Sequence, residues 1–151
     1  MIYYRNDVRG SGVGGRALLA TAQRLLAAVG EADAGLSLSL VSDAAIRTLN
    51  REYRGHDAAT DVLSFPLAET SDRKVPETLL GDIVISVETA RRQAEEYDAS
   101  LQREIYRLLI HGLLHLKGHD HEQLAQRRSM RREERRLADA IALPWPYSKD
   151  A

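Results

Sequence analysis

The sequence predicts one α+β domain spanning residues 1–151, a mixed sheet of about four strands packed with helices. Three observations predict it. Strand patterns come first and long helical patterns later, the order of an α+β sandwich with helices laid against one sheet. The runs LSLSLVS and LLGDIVISV are of strand length and strand composition. And 151 residues, 44% of them apolar, suffice for one core that buries roughly two-thirds of the unfolded surface.

Met1 to Arg5 reads as a short first strand, followed by GSGVGG, whose glycines break the chain before the next element. That loop has neither the glycine spacing of a dinucleotide site nor the Lys-Ser/Thr of a phosphate loop, so a plain flexible connector is expected. Residues 16–29 carry apolar positions at helical spacing. Leu36, Leu38 and Leu40 alternate with serines, the period of a strand with one buried face. Ser42-Asp43 then caps a helix that closes near Gly55. TDVLSFP supplies β-branched and aromatic residues and ends in Pro66, which suits a sheet edge because proline cannot donate to a ladder. Residues 79–87 are nearly continuously apolar, as a central strand covered on both faces must be. Three helices follow, over 87–97, 101–117 and 122–142, the last closed by Pro144-Trp145-Pro146.

The chain has no cysteine, which removes disulfides and thiolate metal sites and leaves His, Asp and Glu as ligands. MIYYRNDVRG lacks an apolar signal segment and no run approaches the ~20 apolar residues of a membrane span. A cytoplasmic location and no membrane partner are therefore expected. A net charge of −1 gives no overall attraction to polyanions, so such a partner would have to meet a local patch.

Four of the five histidines lie within HGLLHLKGHDH, residues 111–121. His111 and His115 are four apart in a helical pattern, so they share a face, offset by roughly 40° and one turn. Had the helix continued, His121 would stand about 15 Å along the axis and off that face. Gly118 offers the left-handed residue that stops the helix and folds His121 back toward the other two. Three imidazoles with an open fourth position form the ligand set of one catalytic Zn2+. The alternative is satisfied core histidines, which would leave several buried imidazole atoms in need of partners. The spacing H-x₃-H-x₂-G-x₂-H is also that of the metzincin proteases, whose general-base glutamate follows the first histidine. Here that position is Gly112, so the peptidase mechanism lacks its base.

Two cationic features accompany the cluster. Arg54, in the turn Arg54-Gly55-His56-Asp57, can present a bidentate fork to phosphate, or can be neutralised by Asp57 and Asp61 in an Asx-type turn. QRRSMRREERRL sets six arginines against two glutamates, with Arg128, Arg131, Arg132 and Arg135 at i, i+3, i+4 and i+7. Such a stripe is a solvated face unless it lies beside the metal pocket, where it becomes a track for a phosphate backbone.

HGLLHLKGHDH, YRGHDAATDVLSFP and LLGDIVIS together resemble the YbeY family of bacterial endoribonucleases, also called rRNA maturation factors. The resemblance implies a zincin-like fold with the metal site at the end of a central helix and one Zn2+ held by His111, His115 and His121. It implies catalysis dependent on Arg54 and His115, single-stranded RNA as substrate, and roles in 16S rRNA 3′-end maturation and ribosome quality control. Partners would be rRNA, the ribosome and its assembly factors, with no DNA expected. His119 departs from the tyrosine expected there and could compete as a ligand; Asp120 is a candidate for proton transfer. Two rival readings stand beside this one: a metallopeptidase-like hydrolase that binds peptide along the edge strand, and a non-catalytic RNA-binding assembly factor with a structural zinc.

Overall fold

A period of two puts alternate side chains on opposite faces of a strand, and the leucines of LSLSLVS are accordingly fully buried while the serines between them are half-buried. The computed structural model describes residues 1–67, 79–119 and 122–144. Within them the chain runs β1 (Ile2–Asn6), α1 (Gly15–Ala28), β2 (Gly35–Val41), α2 (Asp43–Arg54), β3 (Val62–Pro66), β4 (Leu79–Ser86), α3 (Val87–Glu96), α4 (Leu101–Leu116) and α5 (Leu124–Ala140). The four strands form one mixed sheet in the order β1-β2-β4-β3. β1, β2 and β4 are parallel, with Leu38 beside Ile83 and Tyr4 beside Leu38; β3 runs antiparallel to β4, with Ser64 beside Ile83. The continuous apolar run thus lies at the centre of the sheet and the proline-terminated run at its edge, as their compositions require.

The two faces are unequal. Leu36, Leu38, Leu40, Ile83 and Ile85 pack under α1, α3, α4 and α5 in the larger core. Val41, Ile46, Leu63, Phe65 and Val84 form a smaller cluster beneath α2 on the other face. Fully burying a leucine or isoleucine contributes about 1.5–3 kcal/mol, so the larger core dominates stability and α4, at its centre, is the most firmly held helix.

Helix ends follow from their residues. Ser42, Ser86 and Ser100 each accept a hydrogen bond from the backbone N–H three residues on, at 3.2, 3.3 and 3.2 Å. Asp43 ties two of these starts together: its carboxylate accepts from Ser86 Oγ at 2.5 Å, Thr89 Oγ1 at 2.6 Å and Arg92 Nη2 at 2.9 Å. Burial alone would raise its pKa, but these three hydrogen bonds and the charge of Arg92 outweigh it and hold Asp43 below the ordinary carboxylate value.

The loop GSGVGG is not a free connector. Arg91 Nη2 donates to Ser11 O at 2.7 Å, and the Gln102 side chain accepts from Gly14 N and donates to Gly14 O at 2.8 and 3.1 Å. Partners 80 and 88 residues away fix it, contacts that no local pattern encodes.

Candidate active site

α4 brings His111 and His115 to one side of the helix, half-buried, at the free edge of β3. Their Nε2 atoms lie 3.1 Å apart and their rings meet nearly edge to face, with centroids 4.6 Å apart and planes at 73°. The other nitrogen of His111, Nδ1, lies 3.9 Å from Glu134 Oε2 on α5. The two nitrogens of this ring are thereby given different neighbours: one looks into the cleft toward His115, the other toward a carboxylate whose side chain is 13% exposed.

Gly118 ends α4 as its sequence requires. With φ at +92° it lets Gly118 N reach His115 O and His119 N reach Leu114 O, both at 3.0 Å, the paired bonds of a Schellman motif. His115 therefore stands in the last turn of the helix, beside the point where the chain turns back. His119 does not line the cleft. His121 and Asp120 lie outside the described residues, and among the described residues no three His, Asp or Glu side chains are grouped as metal ligands.

The cleft, about 510 Å³, is lined by both imidazoles, Arg54, Asp61 and the edge strand through Ser64 and Pro66. Arg54 comes from the C-terminus of α2 on the opposite face of the sheet. Its Nη2 donates to Ser64 O at 2.7 Å, and its Cζ sits 4.8 Å from the centre of the Phe65 ring. Asp57 is paired with Arg47 at 2.9 Å, which holds Asp57 below its ordinary pKa, and Asp61 accepts from Val62 N at 2.7 Å and from Gln93 Nε2 at 3.2 Å. The neutralising turn expected as an alternative for Asp57 is thus a pairing with Arg47.

Position 112 faces the sheet, not the cleft. A Cβ there would stand 3.0 Å from Ile83 Cγ2, 3.1 Å from Ser64 Oγ and 3.3 Å from Val62 Cγ2. The glycine permits this close packing, and Ser64 Oγ seals it by donating to Gly112 O at 2.9 Å. A glutamate at 112 would therefore be excluded by packing as well as missing from the sequence.

The outer edge of β3 is partly occupied by this chain's own groups. Asp61 O accepts from Ser86 N of β4's end, so the alternate residues Val62, Ser64 and Pro66 direct their main-chain groups outward. Val62 N is taken by Asp61, Ser64 O by Arg54, and Pro66 has no N–H. An edge with these groups taken is a poorer template for an added peptide strand.

Sequence reasoning missed the support behind the cleft. Gln93, which holds Asp61, accepts from Arg107 Nη2 at 3.4 Å, and Arg107 is clamped by Glu104 through two bonds of 2.8 Å. Glu104 is 1% exposed. Its available signal was a Glu and an Arg three apart within an apolar helical pattern. Glu134 offered none, because its relation to His111 joins two helices.

A family model described as Endoribonuclease YbeY matches residues 14–142. The chain belongs to the YbeY family. Two proteins named Endoribonuclease YbeY, from Anaeromyxobacter sp. and Anaeromyxobacter dehalogenans, are 52% and 50% identical over 85% of this chain, which spans 65% of the length of each. A YbeY relative from Moorella thermoacetica is 46% identical over 85% of this chain and 90% of its own. The solution structure of a Thermotoga maritima protein is similar, with TM-score 0.59 and 27% identity over 94% of this chain and 92% of that one. Residues Arg54, His111 and His115 all fall within the YbeY match.

Proposed function

We propose that this chain is a metal-dependent endoribonuclease that cleaves single-stranded RNA in rRNA maturation, acting in the cytoplasm on the 3′ end of 16S rRNA and in ribosome quality control. The observation that carries the reading is the convergence of the His111 and His115 Nε2 atoms on the cleft that also receives Arg54. Their 3.1 Å separation is close to the roughly 3.3 Å between two imidazole nitrogens on a tetrahedral zinc, so the pair fits such an ion. His111, His115 and His121 are the residues that would hold one Zn2+ in a zincin-like arrangement. A divalent cation bound there would supply Lewis acidity to a phosphoryl oxygen and to water at neutral pH.

This chain's own groups divide the remaining work. Arg54 is held by Ser64 O and by the Phe65 face with its guanidinium in the cleft, where it stabilises negative charge developing on the phosphodiester oxygens. Glu134 Oε2 stands 3.9 Å from His111 Nδ1, on the far side of the ring from His115, and Nε2 is the nitrogen that faces the cleft. The partly occupied edge of β3 and the packed Gly112 favour RNA over an extended peptide. The relatives' shared name, Endoribonuclease YbeY, supports the same activity.

The test compares cleavage of a single-stranded RNA by wild type, His115→Ala and Arg54→Ala, with metal content and folding measured for each. Wild type should cleave, His115→Ala should lose metal and activity, and Arg54→Ala should keep metal and lose activity. Full cleavage by metal-free, folded His115→Ala would end the reading. RNA binding without cleavage by metal-replete wild type would point to the non-catalytic assembly factor instead.

A further inference from the structure

α5 carries six arginines and three acids in a chain whose net charge is −1. Two of the three acids have other neighbours among the described residues. Glu133 is engaged with Arg136 through bonds of 2.9 and 2.7 Å, and Glu134 is turned to His111. Arg136 also donates to Ala28 O of α1 at 3.0 Å, so that flank of α5 is packed. Arg127, Arg128, Arg131 and Arg132 form no ion pair or side-chain hydrogen bond among the described residues, and all but Arg131, which is half-buried, are exposed.

Position on the helix then locates them. Arg131 and Arg127 precede Glu134 by three and seven residues and so share its flank, the one turned toward His111. Arg128, one helical turn from Arg131, continues the row outward. Holding several like charges on one helix without internal partners costs stability, since like charges one turn apart repel. A ligand of opposite charge relieves that repulsion, and the flank these arginines share with Glu134 is turned to His111, which lines the cleft where the RNA of the proposed reaction would be cut.

We infer that Arg127, Arg128 and Arg131 of α5 form a backbone track for the single-stranded RNA outside the cleft, carrying the phosphates that flank the one being cleaved. The inference rests on the RNA-cleaving reading above and adds to it a surface that reads no sequence. Phosphate neutralisation by arginine releases counterions, so the track sets affinity and its salt dependence, while Arg54 and the histidines set turnover.

The experiment uses the full chain and fluorescein-labelled oligouridylate of two lengths, one of about four nucleotides that fills only the cleft and one of about twenty. Binding is followed by anisotropy from low to high salt, and cleavage by gel, for wild type, the double variant Arg128→Gln/Arg131→Gln and an exposed control on α1, Arg16→Gln. Each lost phosphate contact should reduce the slope of log K against log salt by about 0.7 for a single strand, so the double variant should lose about 1.4. Its KM for the long RNA should rise about tenfold with kcat unchanged, the short RNA should bind as before, and Arg16→Gln should match wild type. An unchanged slope and KM for the long RNA in the folded double variant would overturn the track. So would an equal loss for short and long RNA, or an equal loss in Arg16→Gln. Because anisotropy reads binding alone, the track is tested even if no RNA is cut, and absence of cleavage with an intact slope difference would defeat the enzyme reading and leave the surface.

Discussion

Ser64 Oγ donates to the main-chain oxygen of Gly112 at 2.9 Å, fastening the edge strand to the turn of α4 that lies between the two cleft histidines. The strand that holds Arg54 and the helix that holds the imidazoles are thus joined at one point, and the missing side chain of residue 112 lets them meet. Widening that contact should move both halves of the cleft apart.

Gly112→Ala sets two effects against each other. Alanine gains about 1 kcal/mol of helix propensity, while a methyl pressed against Ile83, Ser64 and Val62 costs about 1–3 kcal/mol in a packed core. Ile83 is fully buried and has nowhere to go, so the strain should win. The expected result is a Tm lower by about 3–6 °C, and Gly112→Glu should not fold at all. A melting temperature equal to or above wild type for Gly112→Ala would show that α4 can lift off the sheet freely.

Arg54 is positioned by a fork and a flat face at once, donating to Ser64 O while lying over Phe65. Lysine has one charge but no planar fork, so it cannot satisfy Ser64 O and a phosphate together. Arg54→Lys should therefore behave like Arg54→Ala, with kcat for RNA cleavage lower by about 10²–10³ and the thermal melt little changed. Single-turnover assays at saturating RNA measure this, and near-normal kcat in Arg54→Lys would reduce the role of Arg54 to its charge alone.

Glu134 approaches His111 from another helix, at 3.9 Å, without touching the cleft. A carboxylate behind a metal-binding imidazole fixes which nitrogen faces the metal, and its loss commonly weakens metal binding 10–100-fold. Glu134→Gln should weaken Zn2+ binding by about that factor in a chelator competition, with an unchanged melt of the metal-free protein. Unaltered zinc affinity would mean that His111 is oriented by its packing on α4.

The local code accounts for much of this site and stops where distant segments meet. The spacing of His111 and His115, the stop at Gly118, the serine caps and the edge position of β3 follow from short patterns in the chain. Helical period, left-handed glycine and proline's missing donor act within a few residues, so a linear reading reaches them. The antiparallel turn of β3 against β4, the pinning of GSGVGG by Arg91 and Gln102, and the approach of Glu134 to His111 depend on partners from about 20 to 88 residues away. They are products of how the helices pack, which periodicity does not specify. His121, read as the third ligand, lies outside the described residues, as do Asp120 and Trp145.

Asp43 gives the fold a pH dependence whose sign follows from its partners. Ser86 and Thr89 hydroxyls and Arg92 favour the ionised carboxylate against the penalty of burial, so its folded pKa lies below the ordinary value of 3.8. A group with a depressed pKa binds protons more weakly when folded, so its stabilisation is present above the unfolded value and fades as pH falls through the folded one. Asp43→Asn removes the charge but keeps the shape, and it weakens three charge-assisted bonds that link α2 to the start of α3. At pH 7 urea unfolding should show Asp43→Asn less stable by about 1–3 kcal/mol. The gap should begin to narrow as pH falls through the ordinary carboxylate range and go on narrowing toward the lower folded value of Asp43. A gap that stays constant from pH 7 to pH 2 would show that the loss comes from altered packing at α2, not from the charge of Asp43.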